Sequence, residues 1–332
     1  MNNQYSLLKK LTEAFGPSGN EETITAIIQD EIKNYVDEIK VDKMGNLIAI
    51  KKGTGAKVMI ASHMDEIGII VTGIDDNGFL RFANIGGVSP YISLGQRVQF
   101  ANGTIGIVGM QHLDDIKKLK LEKMYIDIGA KDKQEAMNKV SIGDVACFYR
   151  SFTSLDNYIT AKALDDRIGC YVAIETIKNI KNSPNELYFV FTVQEELGAR
   201  GAKTASFGIN PDLGIAVDVT ATGDTPKSKH MAVKLDEGPA IKIKDHSLLA
   251  HPTVKNLMID AAKNNQIPYQ LEILEFGGTD SGTIHTTRAG VPSGVLSIPC
   301  RYIHSPSEMV SKKDVENAIL LLTKILEKDI IL

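Results

Sequence analysis

The sequence predicts an α/β protein whose mostly parallel sheet is interrupted by an inserted β-rich segment. Apolar strand-like runs alternate with amphipathic helical runs in both terminal parts of the chain, which is typical of a sheet sandwiched between helices. Between residues 68 and 158 the pattern changes to short β-rich runs separated by Gly, Asn and Asp turns. We therefore expect one discontinuous α/β domain (1–67 and 159–332) and one inserted β-rich domain (68–158).

The N-terminal part predicts two helices followed by strands. Helical spacing over residues 6–15 ends at a Gly-Pro pair. Ser18 with Glu21 forms a capping-box pattern ahead of a second helix over 24–36. The strands that follow are a hairpin over 38–52 and an apolar run over 57–62.

After the inserted segment, helical and strand patterns alternate again. The predicted strands are LYFVFTV (187–193), LGIAVDV (213–219) and GVLSIP (294–299). The predicted helices are 167–180, 253–265 and a closing helix that starts at Ser311, with Asp314 three residues on.

Composition and charge exclude several classes of function. Hydrophobic residues make up 43% and charged residues 23%, which is the balance of a globular protein. A net charge of -4 with scattered lysines gives no basic surface for nucleic acid. No signal peptide and no run of about 18 apolar residues is present, so we expect a cytoplasmic protein without a membrane partner. Three widely spaced cysteines predict reduced, buried thiols.

Five segments place acids or histidines just beyond an apolar strand or at the start of a helix. The carboxyl ends of parallel strands share one edge of an open α/β sheet, so we expect these side chains to converge on one crevice. They are His63, Asp65, Asp165, Asp166, Glu195, Glu196, Asp218 and His304.

These residue types predict a metal centre. Imidazole and carboxylate ligands together suit Zn²⁺, Co²⁺ or Mn²⁺. So many carboxylates in one cleft repel one another unless cations neutralise them, and two dications would do so. One Asp that bridges ions about 3.5–4 Å apart leaves room for a shared hydroxide, and a carboxylate without metal can serve as general base. Taken singly, each residue is more typical of a cap, a turn or a surface position, so the prediction depends on their joint placement.

Two further patterns carry alternatives. The adjacent Asp166 and Arg167 predict a local ion pair. In GGTDSG, Gly277 and Gly278 would let a substrate backbone approach while Asp280 binds a free amine. The same stretch is equally compatible with a tight strand-to-helix turn in which backbone amides satisfy the Asp280 carboxylate.

These motifs resemble the tetrahedral aminopeptidases, a family that includes glutamyl and deblocking aminopeptidases, with some relatives labelled endoglucanase. The resemblance runs almost end to end and is carried by HMDEIG, ALDDR, QEELGARGA, IPYQ, GGTDSG and SIPCRYIHSPSE. It implies a zinc-peptidase-like three-layer α/β sandwich with an inserted β-barrel-like domain used for dimerisation and assembly.

The resemblance also implies a role for each residue of the cluster. Two divalent ions are expected in each subunit, Zn or Co first and Mn next. Asp165 bridges the ions, His63 with Asp218 completes one, Glu196 with His304 completes the other, Glu195 is the general acid and base, and Asp65 orients His63.

The implied activity is removal of N-terminal residues from short peptides by a homo-oligomer, a dodecamer built from dimers. The preferred N-terminal residue stays open. Competing hypotheses are a dinuclear amidohydrolase acting on acylated small molecules, a glycosidase, and an oligomeric scaffold without catalysis. A glycosidase needs two carboxylates and no metal, which leaves the histidines without a purpose. A silent scaffold usually lacks a ligand or a base, and none is missing here.

Overall fold

The computed structural model describes residues 5–228 and 231–331, which form a large sheet, a small barrel and the helices that cover the sheet. The predicted order of the N-terminal elements is confirmed. These elements are α1 (Ser6–Glu13), α2 (Glu22–Ile32), β1 (Glu38–Val41), β2 (Leu47–Lys51) and β3 (Lys57–His63).

The predicted capping box at the start of α2 is wrong. The helix begins at Glu22, so Glu21 occupies the N-cap position, and its side chain makes no capping hydrogen bond. The hydroxyl of Ser18 donates to Oδ2 of Asp65, at 2.6 Å, instead of bonding within the helix. A partner 47 residues away in sequence therefore takes the place of the local one.

The inserted segment contains a closed barrel of six antiparallel strands. They are β4 (Gly68–Ile74), β5 (Leu80–Ile85), β6 (Arg97–Phe100), β7 (Ile105–Met110), β8 (Met124–Asp127) and β9 (Val145–Phe148). Two short helices, α3 (Pro90–Ser93) and α4 (Lys133–Met137), lie in the connections. The interior has its own apolar core, which includes Val71, Phe82, Val98, Phe100 and Ile126. The predicted barrel is confirmed, whereas the domain boundaries after residues 67 and 158 stay a prediction.

The chain then returns to the large sheet. The remaining strands are β10 (Thr153–Ser154), β11 (Tyr158–Ala161), β12 (Glu186–Thr192), β13 (Leu213–Thr220), β14 (Ala240–Lys244), β15 (Gln270–Ile273), β16 (Ser293–Arg301) and β17 (Glu308–Ser311). The helices are α5 (Leu164–Asn179), α6 (Arg200–Ile209), α7 (Pro252–Asn264), α8 (Ser281–Ile284) and α9 (Lys312–Leu326).

The closing helix α9 follows Ser311, as predicted. Ser311 makes no capping hydrogen bond with its side chain. The Asp314 carboxylate accepts from the backbone amides of Asp236 and Gly238, each at 2.8 Å. The acid therefore anchors a loop that is distant in sequence.

Parallel strands form the centre of the large sheet, which contains 11 strands within the described residues. The order is β1-β2-β12-β3-β13-β16-β17-β11-β10, with β14 paired to β16 and to β15. The neighbours β12, β3, β13 and β16 are parallel, and the flanking strands are antiparallel to them. The carboxyl ends of the four central strands therefore lie at the same edge.

Helices cover both faces of this sheet. Along β3, Val58 and Ile60 belong to the core shared with α1, α2, α5 and α9. Met59 and Ala61 point the other way, into a core shared with α6 and α8. Alternate residues of one strand thus face opposite helical layers, and each fully buried aliphatic side chain contributes about 1.5–3 kcal/mol of transfer free energy. The predicted three-layer α/β sandwich is confirmed.

None of the helices in residues 5–228 and 231–331 combines the length and the apolar character needed to cross a membrane.

Candidate metal centre

The predicted site residues lie at the shared edge of the parallel strands. His63 is the last residue of β3, and Asp218 lies two residues before the end of β13. Glu195 and Glu196 follow β12 in the turn that leads to α6, and His304 follows β16. The strand order therefore brings together side chains that are far apart in sequence.

Asp165, at the start of α5, lies between two histidines. Its Oδ1 atom is 2.9 Å from Nε2 of His63, and its Oδ2 atom is 3.2 Å from Nε2 of His304. Each histidine has a second carboxylate nearby: Asp218 Oδ1 is 3.9 Å from the His63 nitrogen, and Glu196 Oε1 is 3.1 Å from the His304 nitrogen. One carboxylate is thus shared between two imidazole–carboxylate pairs.

Two groups of donor atoms among the described residues are compact enough to bind a metal ion. Within each group the ligand atoms lie within 4.8 Å of one another. One group is His63, Asp165 and Glu196, and the other is His63, Asp166 and Asp218. Imidazole mixed with carboxylate suits divalent first-row metals. The second group adds Asp166 to the acids that the resemblance assigned as ligands.

The electrostatics of the cluster also fit a cationic cofactor. Burial raises the pKa of Glu195 well above its usual range, and the charge of Asp218 adds to this shift. Burial would lower the pKa of His304, but the carboxylates of Asp165 and Glu196 outweigh it and raise the pKa to about 11. Clustered buried carboxylates repel one another unless protons or cations neutralise them, and a divalent ion supplies positive charge to several of them at once.

Asp166 and Arg167 do not pair with each other in the described residues, contrary to the prediction. The Asp166 carboxylate accepts from the backbone amides of His63, at 3.2 Å, and Gly169, at 3.1 Å. The fully buried guanidinium of Arg167 donates to backbone carbonyls instead, those of Leu11, Gly16 and Met64. Neighbouring side chains at the start of a helix point in different directions, so adjacency in sequence produced no contact.

The Asp65 carboxylate fixes the backbone beside the candidate base. Its Oδ1 atom accepts from the amide of Glu195 at 2.9 Å, and its Oδ2 atom accepts from the amide of Glu196 at 3.2 Å. The same Oδ1 lies 3.5 Å from Nδ1 of His63, while the backbone oxygen of Asp65 is closer to that nitrogen, at 3.1 Å. A proton on Nδ1 would leave the Nε2 lone pair directed towards Asp165.

Glu308 is a buried acid that sequence reasoning missed. Its Oε2 atom accepts from the backbone amide of Asp165 at 2.9 Å, and its Oε1 atom accepts from the amide of His304 at 2.8 Å. Glu308 closes the stretch RYIHSPSE, four residues after His304. The sequence signal was therefore present, but nothing local indicated that this acid bonds to the first turn of α5.

A cavity of about 770 Å³ opens onto the acidic cluster. Gly277 and Gly278 line it, together with apolar side chains that include Leu274 and Tyr302. Asp280 is buried behind this wall, where its Oδ2 atom accepts a 2.5 Å hydrogen bond from the hydroxyl of Thr192. The two glycines of GGTDSG thus reach the cavity, whereas the acid lies beside it.

Known proteins are similar to this chain over most of its length. The profile of the M42 glutamyl aminopeptidases matches residues 45–321. A chain of Acetivibrio thermocellus, named as a candidate aminopeptidase, is 58% identical over 96% of this chain and 97% of its own length. A lysyl aminopeptidase of Pyrococcus furiosus is 37% identical over 98% of this chain and 97% of its own length.

A solved structure matches over almost the whole fold. It is the Pyrococcus horikoshii TET1 peptidase, which can assemble into a tetrahedron or a large octahedral shell. Its TM-score is 0.88 at 34% sequence identity, and the match covers 97% of this chain and 99% of that one.

Proposed function

The chain belongs to the M42 glutamyl aminopeptidase family and is a metal-dependent aminopeptidase, and from this premise we propose that it cleaves short peptides with two metal ions and one glutamate base. The position of Asp165 carries the proposal. Its two oxygens face different histidines, His63 and His304, as a carboxylate shared by two ions would.

Each half of the cluster would hold one ion. His63 and Asp218 would bind the first with Asp165 Oδ1, and His304 and Glu196 would bind the second with Asp165 Oδ2. Zn²⁺ and Co²⁺ suit this donor set, and Mn²⁺ is compatible with it. When bound, such ions supply Lewis acidity that polarises a carbonyl group and lowers the pKa of a water molecule.

Glu195 would move the proton. It lines the cavity, and no ring nitrogen of either histidine lies within ion-pair distance of its carboxylate, unlike that of Glu196. Burial and neighbouring acids hold its pKa well above the usual range of a glutamate, which suits a group that must both accept and return a proton. A carboxylate oxygen of Glu195 would take the proton from the attacking water and give it to the departing amine.

Asp65 and the glycines would serve positioning and access. Asp65 bonds to the amides of Glu195 and Glu196, so it would fix the base while it orients His63. Gly277 and Gly278 would let the substrate backbone approach the cavity wall. Asp280 is buried and does not line the cavity, so it would act on the free amine only indirectly.

We also propose that the chain assembles as a homo-oligomer, a dodecamer built from dimers, and the assembly of the TET1 peptidase into a tetrahedron or a large octahedral shell supports this. In this proposal residues 1–67 and 159–332 form the catalytic domain, and 68–158 form the assembly domain. Large apolar side chains are exposed on that segment, among them Tyr91, Ile92, Ile107 and Ile116. Exposed large apolar side chains on this segment support a subunit contact there. Light scattering with and without chelator measures the particle size.

The decisive experiment is hydrolysis of Glu, Asp, Leu, Ala and Lys p-nitroanilides by chelated enzyme, before and after adding Zn²⁺, Co²⁺ or Mn²⁺. N-acetylated versions of the same substrates are the matched controls. We expect metal-restored cleavage of the free-amine substrates alone, and the panel then ranks the preferred N-terminal residue. Cleavage of acetylated substrates would favour an amidohydrolase, and no cleavage with any metal would favour a silent scaffold.

A further inference from the structure

Four successive backbone amides, at the start of the segment that carries Glu195 and Glu196, donate to side chains from the N-terminal part of the chain. The acceptors all lie before residue 66, more than 120 positions away in sequence. The pairs are Val193 to Asn46 (3.1 Å), Gln194 to Glu21 (3.2 Å), Glu195 to Asp65 Oδ1 (2.9 Å) and Glu196 to Asp65 Oδ2 (3.2 Å).

These contacts satisfy donors that regular structure leaves unpaired. The segment lies between the end of β12, at Thr192, and the start of α6, at Arg200. Its backbone is unusual: φ is 55° at Gln194 and 51° at Ala199, values that residues with a Cβ rarely adopt. Such a conformation persists only where the surroundings over-determine it, and a row of side-chain acceptors does so.

Glu21 is, with Asn46, one of two acceptors that the mechanism does not yet use, and it is the one that binds the amide next to Glu195. Its side chain is buried, and its Oε1 atom accepts from the amides of Gly19, at 2.8 Å, and Gln194, at 3.2 Å. It does not line the cavity that contains Glu195, so it has no route to a substrate bound there. Its hydrogen bond to the turn that carries Glu195 is to a backbone amide, that of Gln194.

Ser18 contacts the same segment indirectly, through Asp65. Its hydroxyl donates to Oδ2 of Asp65, the oxygen that also accepts from the amide of Glu196. Ser18 and Glu21, the pair predicted to form a capping box, therefore both support this turn: Glu21 bonds to it directly and Ser18 acts through Asp65. Neither side chain caps α2.

We propose that Glu21, supported by Ser18, is a positioning residue for peptide hydrolysis: its Oε1 atom fixes the backbone of Gln194 and so sets the direction of the Glu195 carboxylate. The inference rests on the proposed role of Glu195 as the base. What the reaction requires from Glu21 is an acceptor oxygen, because its partners are two neutral amides.

The test compares the variants E21A, E21Q and S18A with wild type in the metal-loaded enzyme. E21A removes the acceptor, and we expect kcat to fall about 10- to 100-fold, the cost of a displacement of roughly 1 Å in a catalytic group. KM and metal content should stay at the wild-type values. E21Q keeps a side-chain oxygen and should recover most of kcat. S18A should lower kcat by a smaller factor, again without a change in KM.

A second measurement is independent of activity. Hydrogen exchange of the Gln194 amide, followed in metal-free protein, should be faster in E21A than in wild type and near wild type in E21Q. The exposed neighbour Glu22 provides the matched control, since E22A alters the same helix start and removes none of the four acceptors of the turn. E22A should leave exchange and kcat unchanged.

The outcomes separate this inference from the proposed function. Wild-type kcat in E21A, with E195Q inactive, overturns the positioning role and leaves the glutamate base in place. Near-normal turnover by E195Q overturns the base, and the positioning of that base by Glu21 with it. The inference is also overturned if E21Q is as inactive as E21A. It is overturned as well if the loss of kcat in E21A parallels a loss of metal content or of folded protein.

Discussion

The Oε1 atom of Glu308 accepts a 2.8 Å hydrogen bond from the backbone amide of His304, a residue whose φ is 61°. Its other oxygen accepts from the amide of Asp165. A single buried acid therefore ties together the backbones of the shared carboxylate and of one candidate ligand.

Replacing Glu308 should lower the metal affinity of the site, with a smaller effect on the free energy of unfolding. E308A leaves one buried and one partly buried amide without acceptors, and such outer contacts are worth about 10- to 100-fold in metal affinity. E308Q offers one oxygen in place of two and should give an intermediate loss. Competition with a chromogenic chelator measures affinity, and K313A, at an exposed position nearby, is the control. Equal metal affinity in E308A and wild type would contradict this role.

Substitutions of Glu195 and Asp165 should distinguish a loss of turnover from a loss of metal binding. E195Q removes the proton acceptor without removing a proposed ligand, so kcat should fall by about 10²- to 10⁴-fold while metal content stays at wild type. D165N should lower both, because the shared carboxylate is lost. Elemental analysis of the purified variants, beside kcat on the preferred p-nitroanilide, makes the comparison. A nearly active E195Q would require a different base.

The three cysteines should be unreactive in the folded protein. Cys147, Cys170 and Cys300 are all buried. Burial raises the pKa of the Cys147 thiol to about 12 and raises those of the other two well above their usual range. Thiolate is the reactive form, so a disulfide reagent at pH 8 should modify no thiol rapidly in native protein and all three in denaturant. Rapid native modification of Cys300, which lines the cavity, would show that the wall opens.

The ion pair between Asp224 and Arg301 should make stability depend on pH in acid. Burial would raise the Asp224 pKa, but bonds from Arg301, at 2.9 and 2.6 Å, and from Thr222 outweigh it and lower the pKa from 3.8 to about 2. A lowered folded-state pKa means that the pair stabilises fully above pH 4 and is lost as pH falls towards 2.

D224N should therefore reduce the free energy of unfolding by about 1 kcal/mol near neutral pH, because solvent screens this partly exposed pair. The difference from wild type should shrink below pH 4. Urea unfolding at pH 3 to 7 measures it, with D114N, at a fully exposed acid, as the control. A difference that grows as pH falls would reverse the assignment.

Local patterns predicted elements well but predicted polar contacts badly. The strands that end near His63 and Asp218 follow from apolar runs, whose burial is dictated by the chain itself. The capping box predicted at Ser18 is wrong because the Asp65 carboxylate, distant in sequence, offered a better-placed partner for the Ser18 hydroxyl. A hydrogen bond depends on where a distant backbone lies, and no sequence window contains that information.

The sequence by itself determined the α/β class, the β-rich character of the inserted segment and the residue types at the strand ends, because hydrophobic periodicity is a property of short segments. Only the tertiary structure decided which atoms meet: that Asp165 lies between His63 and His304, and that Glu308 braces two of these three residues. The physical reason is the separation along the chain of the groups that each interaction joins. Apolar burial is non-directional and is set along one element, whereas a shared carboxylate requires angstrom placement of groups from separate strands and helices.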